Sequence, residues 1–145
     1  MNKEIKNIYN LIQEISWYFG NQGFNGECCE DLSLVEFMAL KKINEADKIT
    51  IQEIGNALSF TKSGASKIID RIETKGYVIR NTSPIDGRVC CVNVTEKGNK
   101  VVTNIAEKYS TYIANMLKEQ EPDTIKNIKS ALEILVDSAH KQGNV

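Results

Sequence analysis

The chain has 145 residues, 41% of them hydrophobic and 26% charged, with a formal net charge of −1. That is the size and composition of one globular domain, able to bury a core without disulfide or metal staples. No apolar run approaches the ~18 residues of a membrane span, and Met1-Asn2-Lys3-Glu4 does not open a secretion signal, so a cytoplasmic protein is expected.

Ile5 to Phe19 places Ile5, Ile8, Tyr9, Ile12, Ile15 and Phe19 at helical spacing, and Gly20-Asn21-Gln22-Gly23 stops that helix. A loop runs to Asp31. Ser33 is placed to cap the next helix, with Glu36 at its capping-box position. Leu34, Phe37, Met38 and Leu40 to Ile43 are its expected buried stripe. Ile49-Thr50-Ile51 is a short β-like stretch. Thr50 caps a helix over Ile51 to Leu58, with Ile54, Ala57 and Leu58 facing inward. Ser59-Phe60-Thr61 is a turn, and the next helix runs from about Lys62 to Lys75, where Gly76 ends it. Tyr77 to Thr82 and Val89 to Val94 read as two strands, with the hairpin marked by Pro84 and Asp86-Gly87. Thr95 caps a long helix carrying Val101, Val102, Ile105, Tyr109, Tyr112, Ile113, Met116 and Leu117. Pro122 sits where a last helix can begin, with Ile125, Ile128, Leu132, Leu135, Val136 and Ala139 as its apolar set.

Helix, turn, helix and hairpin in that order make a mainly α fold, a winged helix-turn-helix with a small β-hairpin wing, whose chemistry is binding to double-stranded DNA. The charge distribution agrees. From Thr61 to Lys100, eight basic residues meet four acidic ones, a net +4 that leaves −5 for the rest of the chain. One face would attract phosphate and the remainder repel it. At 100° per residue, Ala65, Ile68, Ile69 and Ile72 share a narrow arc that must pack inward, opposite Ser63, Ser66, Lys67, Asp70 and Thr74, with Arg71 at the edge. Small polar residues let a helix backbone approach base edges; hydroxyls bond bases or phosphate, and Lys67 can reach guanine. Thr61, Lys62, Ser63, Ser66 and Lys67 are therefore expected to carry most contacts, with Arg71 and Lys75 nearer the DNA backbone. Asp70 would repel phosphate and is expected to face a basic neighbour or cytosine. Arg88 on the hairpin suits the minor groove, oriented by Asp86 through a charge-assisted bond.

Several stretches resemble the MarR family of winged-helix regulators: Leu58-Ser59, Thr61-Lys62-Ser63, Ile68-Ile69-Asp70-Arg71-Ile72-Glu73, Lys75-Gly76-Tyr77-Val78-Ile79-Arg80, and the wing signature Asp86-Gly87-Arg88 continuing to Val94-Thr95 and Gly98. The resemblance covers nearly the whole chain. It implies a single domain over 1–145, with a DNA-binding lobe near 33–98 and a dimerisation lobe formed by 1–22 and 99–142. It also implies a homodimer joined by the terminal helices, a near-palindromic operator, and a cleft for a small-molecule effector, most simply in a repressor. Trp17 would either line that cleft, stacking on a planar aromatic ligand, or pack at the dimer junction.

Four cysteines stand as Cys28-Cys29 and Cys90-Cys91. Cytosolic thiols are normally reduced, and adjacent Cα atoms ~3.8 Å apart fall short of the usual disulfide span. Cys90 is expected in the core with Val92 and Val94, and Cys91 on the other face with Val89 and Asn93. Cys28 and Cys29, flanked by acids, are either an inert loop pair or a site for a soft metal, arsenite or an oxidant. The single histidine, His140, rules out a histidine-rich metal site; no metal or cofactor is expected. A thiol- or metal-responsive regulator and a protein-interaction module remain alternatives. An enzyme does not: there is no nucleophile–base pair, phosphate-cradling glycine loop or His-Cys cluster at usable spacing.

Overall fold

The computed structural model describes residues 1–20, 29–82, 85 and 87–143. The elements follow in the order α1 (Lys3–Gly20), α2 (Leu34–Glu45), α3 (Ile51–Leu58), α4 (Lys62–Thr74), β1 (Val78–Thr82), β2 (Val89–Val94), α5 (Glu96–Met116) and α6 (Pro122–Gln142). The chain divides after Ile105 into two compact units.

Local chemistry sets the boundaries in the first unit. Ser33 and Glu36 form a reciprocal capping box at α2. The Thr50 hydroxyl accepts from the Glu53 amide at 3.0 Å, and that of Thr61 from the Gly64 amide at 3.0 Å. Each such cap stabilises by about 1 kcal/mol. Ser59, at φ 63°, turns the chain left-handed between α3 and α4. Helix α4 ends in a Schellman turn: Tyr77 N–H donates to the Ile72 carbonyl at 3.0 Å and Gly76 N–H to that of Glu73 at 2.9 Å. Gly76 takes φ 86° there, a conformation that costs a glycine nothing.

The core sits among α2, α3, α4 and the hairpin. Leu40, Ile43, Ile54, Ile69, Ile72, Val78 and Val92 are fully buried, each stabilising by about 1.5–3 kcal/mol. The expected inward arc of α4 is the observed one: Ala65, Ile68, Ile69 and Ile72. Two stripes differ from the expectation. Leu34 and Met38 of α2 are exposed while Glu36, Ala39, Leu40 and Ile43 are buried, because a charged partner reaches Glu36 from elsewhere in the fold. In α3 the buried pair is Ile54 and Gly55, and Ala57 faces out.

Strands β1 and β2 pair antiparallel from Val78↔Val94 to Thr82↔Val89, with a register shift between Asn81 and Thr82. Ile49 adds a single antiparallel bridge, accepting from Val92 N–H at 2.8 Å. Cys91 is buried at 4% exposure, as is its neighbour Val92. Both faces of β2 are thus covered at this point, with Cys91 and Val92 on opposite sides; the Cys90 side chain lies outside the described residues.

Thr95 caps α5, accepting from Gly98 N–H at 3.0 Å, and donates to the Gly76 carbonyl at 2.6 Å. Lys97 reaches the Lys75 carbonyl at 2.8 Å and lies 5.1 Å from the Tyr77 ring centroid. The start of α5 is thereby fastened to the α4–β1 junction.

In the second unit, Ile113, Leu117, Ile125, Ile128, Leu132 and Val136 line an apolar groove formed by α5 and α6. No residue of α6 is buried. Within the first unit, Ile5, Ile8, Leu11, Ile12 and Ile15 of α1 are all exposed. No described helix is long and apolar enough to cross a membrane.

Candidate nucleic-acid interface

Helix α4 presents one polar face. Thr61, Lys62, Ser63, Lys67, Asp70, Arg71 and Thr74 are exposed and Ser66 is half-buried. Six of the expected contact residues, Thr61, Lys62, Ser63, Ser66, Lys67 and Arg71, therefore lie on or beside one helix face. The Thr61 hydroxyl spends an acceptor site on its cap and keeps a proton to donate. No acid stands in the first turn of α4. Arg88 is exposed beyond β1 on the hairpin. Its expected partner Asp86 lies outside the described residues.

Asp70 does face a basic neighbour. Arg80 of β1 donates to its Oδ1 at 2.6 Å and to Glu73 Oε1 at 3.1 Å. Sequence reasoning did not single out Arg80 as a site residue. The available signal was its register two positions after Val78, on the covered face of a strand that follows a helix with carboxylates at Asp70 and Glu73.

Lys75 is placed differently from the expectation of a DNA-backbone contact. Its ammonium donates to the Asp31 carbonyl at 2.6 Å and to both carboxylate oxygens of Glu36, at 3.2 and 3.3 Å. The Tyr77 hydroxyl donates to Asp31 Oδ1 at 2.6 Å. These contacts tie the C-terminal end of α4 to the segment before α2. Burial pushes the Tyr77 phenol up to about 12, helped by the Asp31 carboxylate and the charge of Glu30. For Glu36, burial pushes the carboxyl up, but the Ser33 amide, Lys75 and the Ser33 hydroxyl outweigh it and leave the carboxyl below its ordinary value.

A depressed carboxylate stabilises the fold above its unfolded pKa and loses that contribution as pH falls through the folded value. Glu36→Gln keeps the shape and removes the charge. It is expected to cost about 2 kcal/mol at neutral pH, the scale of a hydrogen bond to a charged group. That difference should shrink in urea melts as pH falls below the ordinary carboxylate range and on through the depressed folded value, where the wild-type carboxyl also protonates. A pH-independent difference would show that ionisation is not its source.

Cys29 is buried at 1% exposure and disulfide-bonded, where reduced thiols were expected. Cys28 lies outside the described residues. Trp17 is 54% exposed on α1, lining a groove with Tyr9, Ile12, Gln13 and Ser16. His140 lies in the last turn of α6 and is exposed. Among the described residues no group of three or more His, Cys, Asp or Glu is gathered to hold a metal.

A capped helix pair joined by a left-handed turn, with its second helix outward and a two-stranded hairpin beside it, defines the winged helix-turn-helix class. Residues 32–90 match the MarR family model. The organic hydroperoxide resistance transcriptional regulator of Bacillus subtilis (strain 168) is 23% identical over 112 residues, covering 77% of this chain and 75% of that protein. The HTH-type transcriptional regulator MhqR of the same organism is 28% identical over 86 residues, 59% of each chain. An uncharacterized HTH-type transcriptional regulator, YkoM, also from that strain, is 27% identical over 88 residues, 61% of this chain and 57% of its own length. Among solved structures, a MarR family protein from Bacillus stearothermophilus superposes with a TM-score of 0.77 at 21% identity, covering 95% of this chain and 97% of that one. Streptococcus pneumoniae FabT in complex with DNA gives 0.71 at 20% identity, covering 97% and 96%. Over residues 32–90 the chain is thus similar to the MarR family, and the named relatives it matches are HTH-type or organic hydroperoxide resistance transcriptional regulators.

Proposed function

We propose that the protein is a homodimeric transcriptional repressor that binds a near-palindromic DNA operator and releases it when a small-molecule effector binds. The observation that carries DNA reading is the polar face of α4, where Thr61, Lys62, Ser63, Ser66, Lys67 and Arg71 stand together with no acid in the first turn. Lys75 is left out of this contact set because its ammonium is engaged by Glu36 and Asp31. Arg88 enters the minor groove alongside. FabT, of similar fold, is held in complex with DNA, which supports the same partner here.

The dimer reading rests on apolar exposure. Ile5, Ile8 and Ile12 of α1 and, in the second unit, Leu132, Leu135 and Val136 of α6 are 39% exposed or more, so each helix has an apolar stripe of the kind that marks an interaction site. Residues 33–98 act as the DNA lobe, and 1–22 with 99–142 as the dimerisation lobe. A two-fold dimer sets its two reading helices about 34 Å apart, one turn of B-DNA. Trp17 offers a stacking surface for an aromatic effector. A cytoplasmic location follows from the function.

The test uses the genomic fragment that co-purifies with the protein. Its affinity, measured by fluorescence anisotropy from 50 to 300 mM salt, should fall steeply, at ~0.9 log units per log unit of salt for each phosphate neutralised. Titration should give one dimer per operator, and Arg88→Ala should weaken binding by more than about 1 kcal/mol, the scale of one groove contact. Weak, salt-insensitive binding would instead indicate a protein-interaction module. A second reading, thiol regulation, is favoured by the disulfide at Cys29. It requires that a Cys28→Ser, Cys29→Ser double variant lose the operator response to oxidant or metal that the wild type displays.

A further inference from the structure

Helix α4 carries two carboxylates, Asp70 and Glu73, close to the residues proposed to meet a polyanion. Their side chains are 58% and 37% exposed. Arg80 answers both from β1. Its Nη2 donates to Asp70 Oδ1 at 2.6 Å and approaches the Ser66 carbonyl at 3.4 Å, its Nη1 donates to Glu73 Oε1 at 3.1 Å, and its own amide donates to Glu73 Oε2 at 3.2 Å. The arginine side chain is 23% exposed, less than either acid. One guanidinium against two carboxylates leaves the cluster at −1, so Arg80 is not a source of attraction for phosphate. Its planar fork does what a lysine could not, holding two acids at once in fixed directions.

We infer that Arg80 is a positioning residue for DNA reading: it masks Asp70 and Glu73 and holds them back from the duplex, so that Ser66 and Lys67 can approach it. The inference rests on the DNA-reading function proposed above. Without Arg80, two uncompensated negative charges stand on the reading helix, and like charges facing each other across an interface weaken binding strongly. The basic count of the segment therefore overstates the number of phosphate contacts, because this arginine is spent inside the protein.

The experiment measures affinity for the co-purifying DNA fragment across a salt series, for the wild type, Arg80→Ala, and the triple variant Arg80→Ala, Asp70→Asn, Glu73→Gln. Arg80→Ala is expected to bind at least tenfold more weakly at 100 mM salt. The triple variant, still lacking the arginine, is expected to recover most of that loss and the wild-type salt slope. A direct phosphate contact predicts the opposite: no recovery, and a slope shallower by ~0.9 in the triple variant. That outcome, or an unchanged affinity for Arg80→Ala, overturns the inference. Thermal melts accompany each variant. Should Arg80→Ala fail to fold, Arg80→Gln, a shorter, neutral side chain that still carries an amide donor, is compared with its own Asp70→Asn, Glu73→Gln derivative under the same criteria. A wild-type chain that selects no DNA fragment overturns the proposed function. A selective wild type with no rescue overturns this inference alone.

Discussion

Ser63→Glu is expected to abolish operator binding while leaving the protein folded and slightly more stable. Ser63 is the second residue of α4, exposed, two positions after the Thr61 cap. A carboxylate there meets the positive end of the helix dipole, worth about 0.3–1 kcal/mol to the fold. The same carboxylate points where the duplex is proposed to lie, and a like charge facing phosphate across an interface costs several kcal/mol. The two effects have opposite signs, so the variant separates misfolding from lost recognition. Melting temperature should hold or rise as anisotropy binding falls by at least a hundredfold. Retained binding would mean that α4 turns another face to DNA.

Gly98→Ala should be strongly destabilising, since among the described glycines an added Cβ meets its closest neighbour there. Alanine ordinarily stabilises a helix over glycine by about 0.8–1 kcal/mol. At Gly98, in the first turn of α5, an added Cβ would sit 2.1 Å from the Tyr77 carbonyl oxygen and 2.8 Å from Val94 Cγ2. That carbonyl already accepts from Thr95 N–H at 2.9 Å, so it cannot withdraw without breaking the join between α5 and the wing. Overpacking of this kind costs about 1–3 kcal/mol or more, and contact with backbone places it at the upper end. Thermal denaturation should show a fall of roughly 6–12 °C, taking ~2–4 °C per kcal/mol at this chain length. A rise, as helix propensity alone predicts, would deny the close approach.

What could be read from the sequence followed periods and caps. The inward arc of α4 was legible because one face of a helix is buried and the other is not. Ser33, Thr50 and Thr95 were legible because capping is local, needing only residues three apart. The hairpin strands were found within a residue of their observed ends. What escaped was non-local. Glu36 is buried and Lys75 turned inward because each finds the other across 39 positions of sequence, which no periodicity reports. Cys91 is buried because other parts of the fold cover its face of β2. Asp70 was recognised as needing a cation, but only the pairing of β1 beside α4 supplies Arg80. Leu34 and Met38 fit a helical stripe by number and still lie at its wet edge, since hydropathy marks candidates for burial and not the width of the covering surface.

The three residues Lys75, Gly76 and Tyr77 receive hydrogen bonds at all their carbonyls from Lys97, Thr95 Oγ1 and Thr95 N–H in turn. In mechanical language this junction is a fulcrum. Within the first unit α5 runs on from it as far as Ile105, so the start of α5 cannot turn about its axis without dragging the foot of α4 and the root of the wing with it.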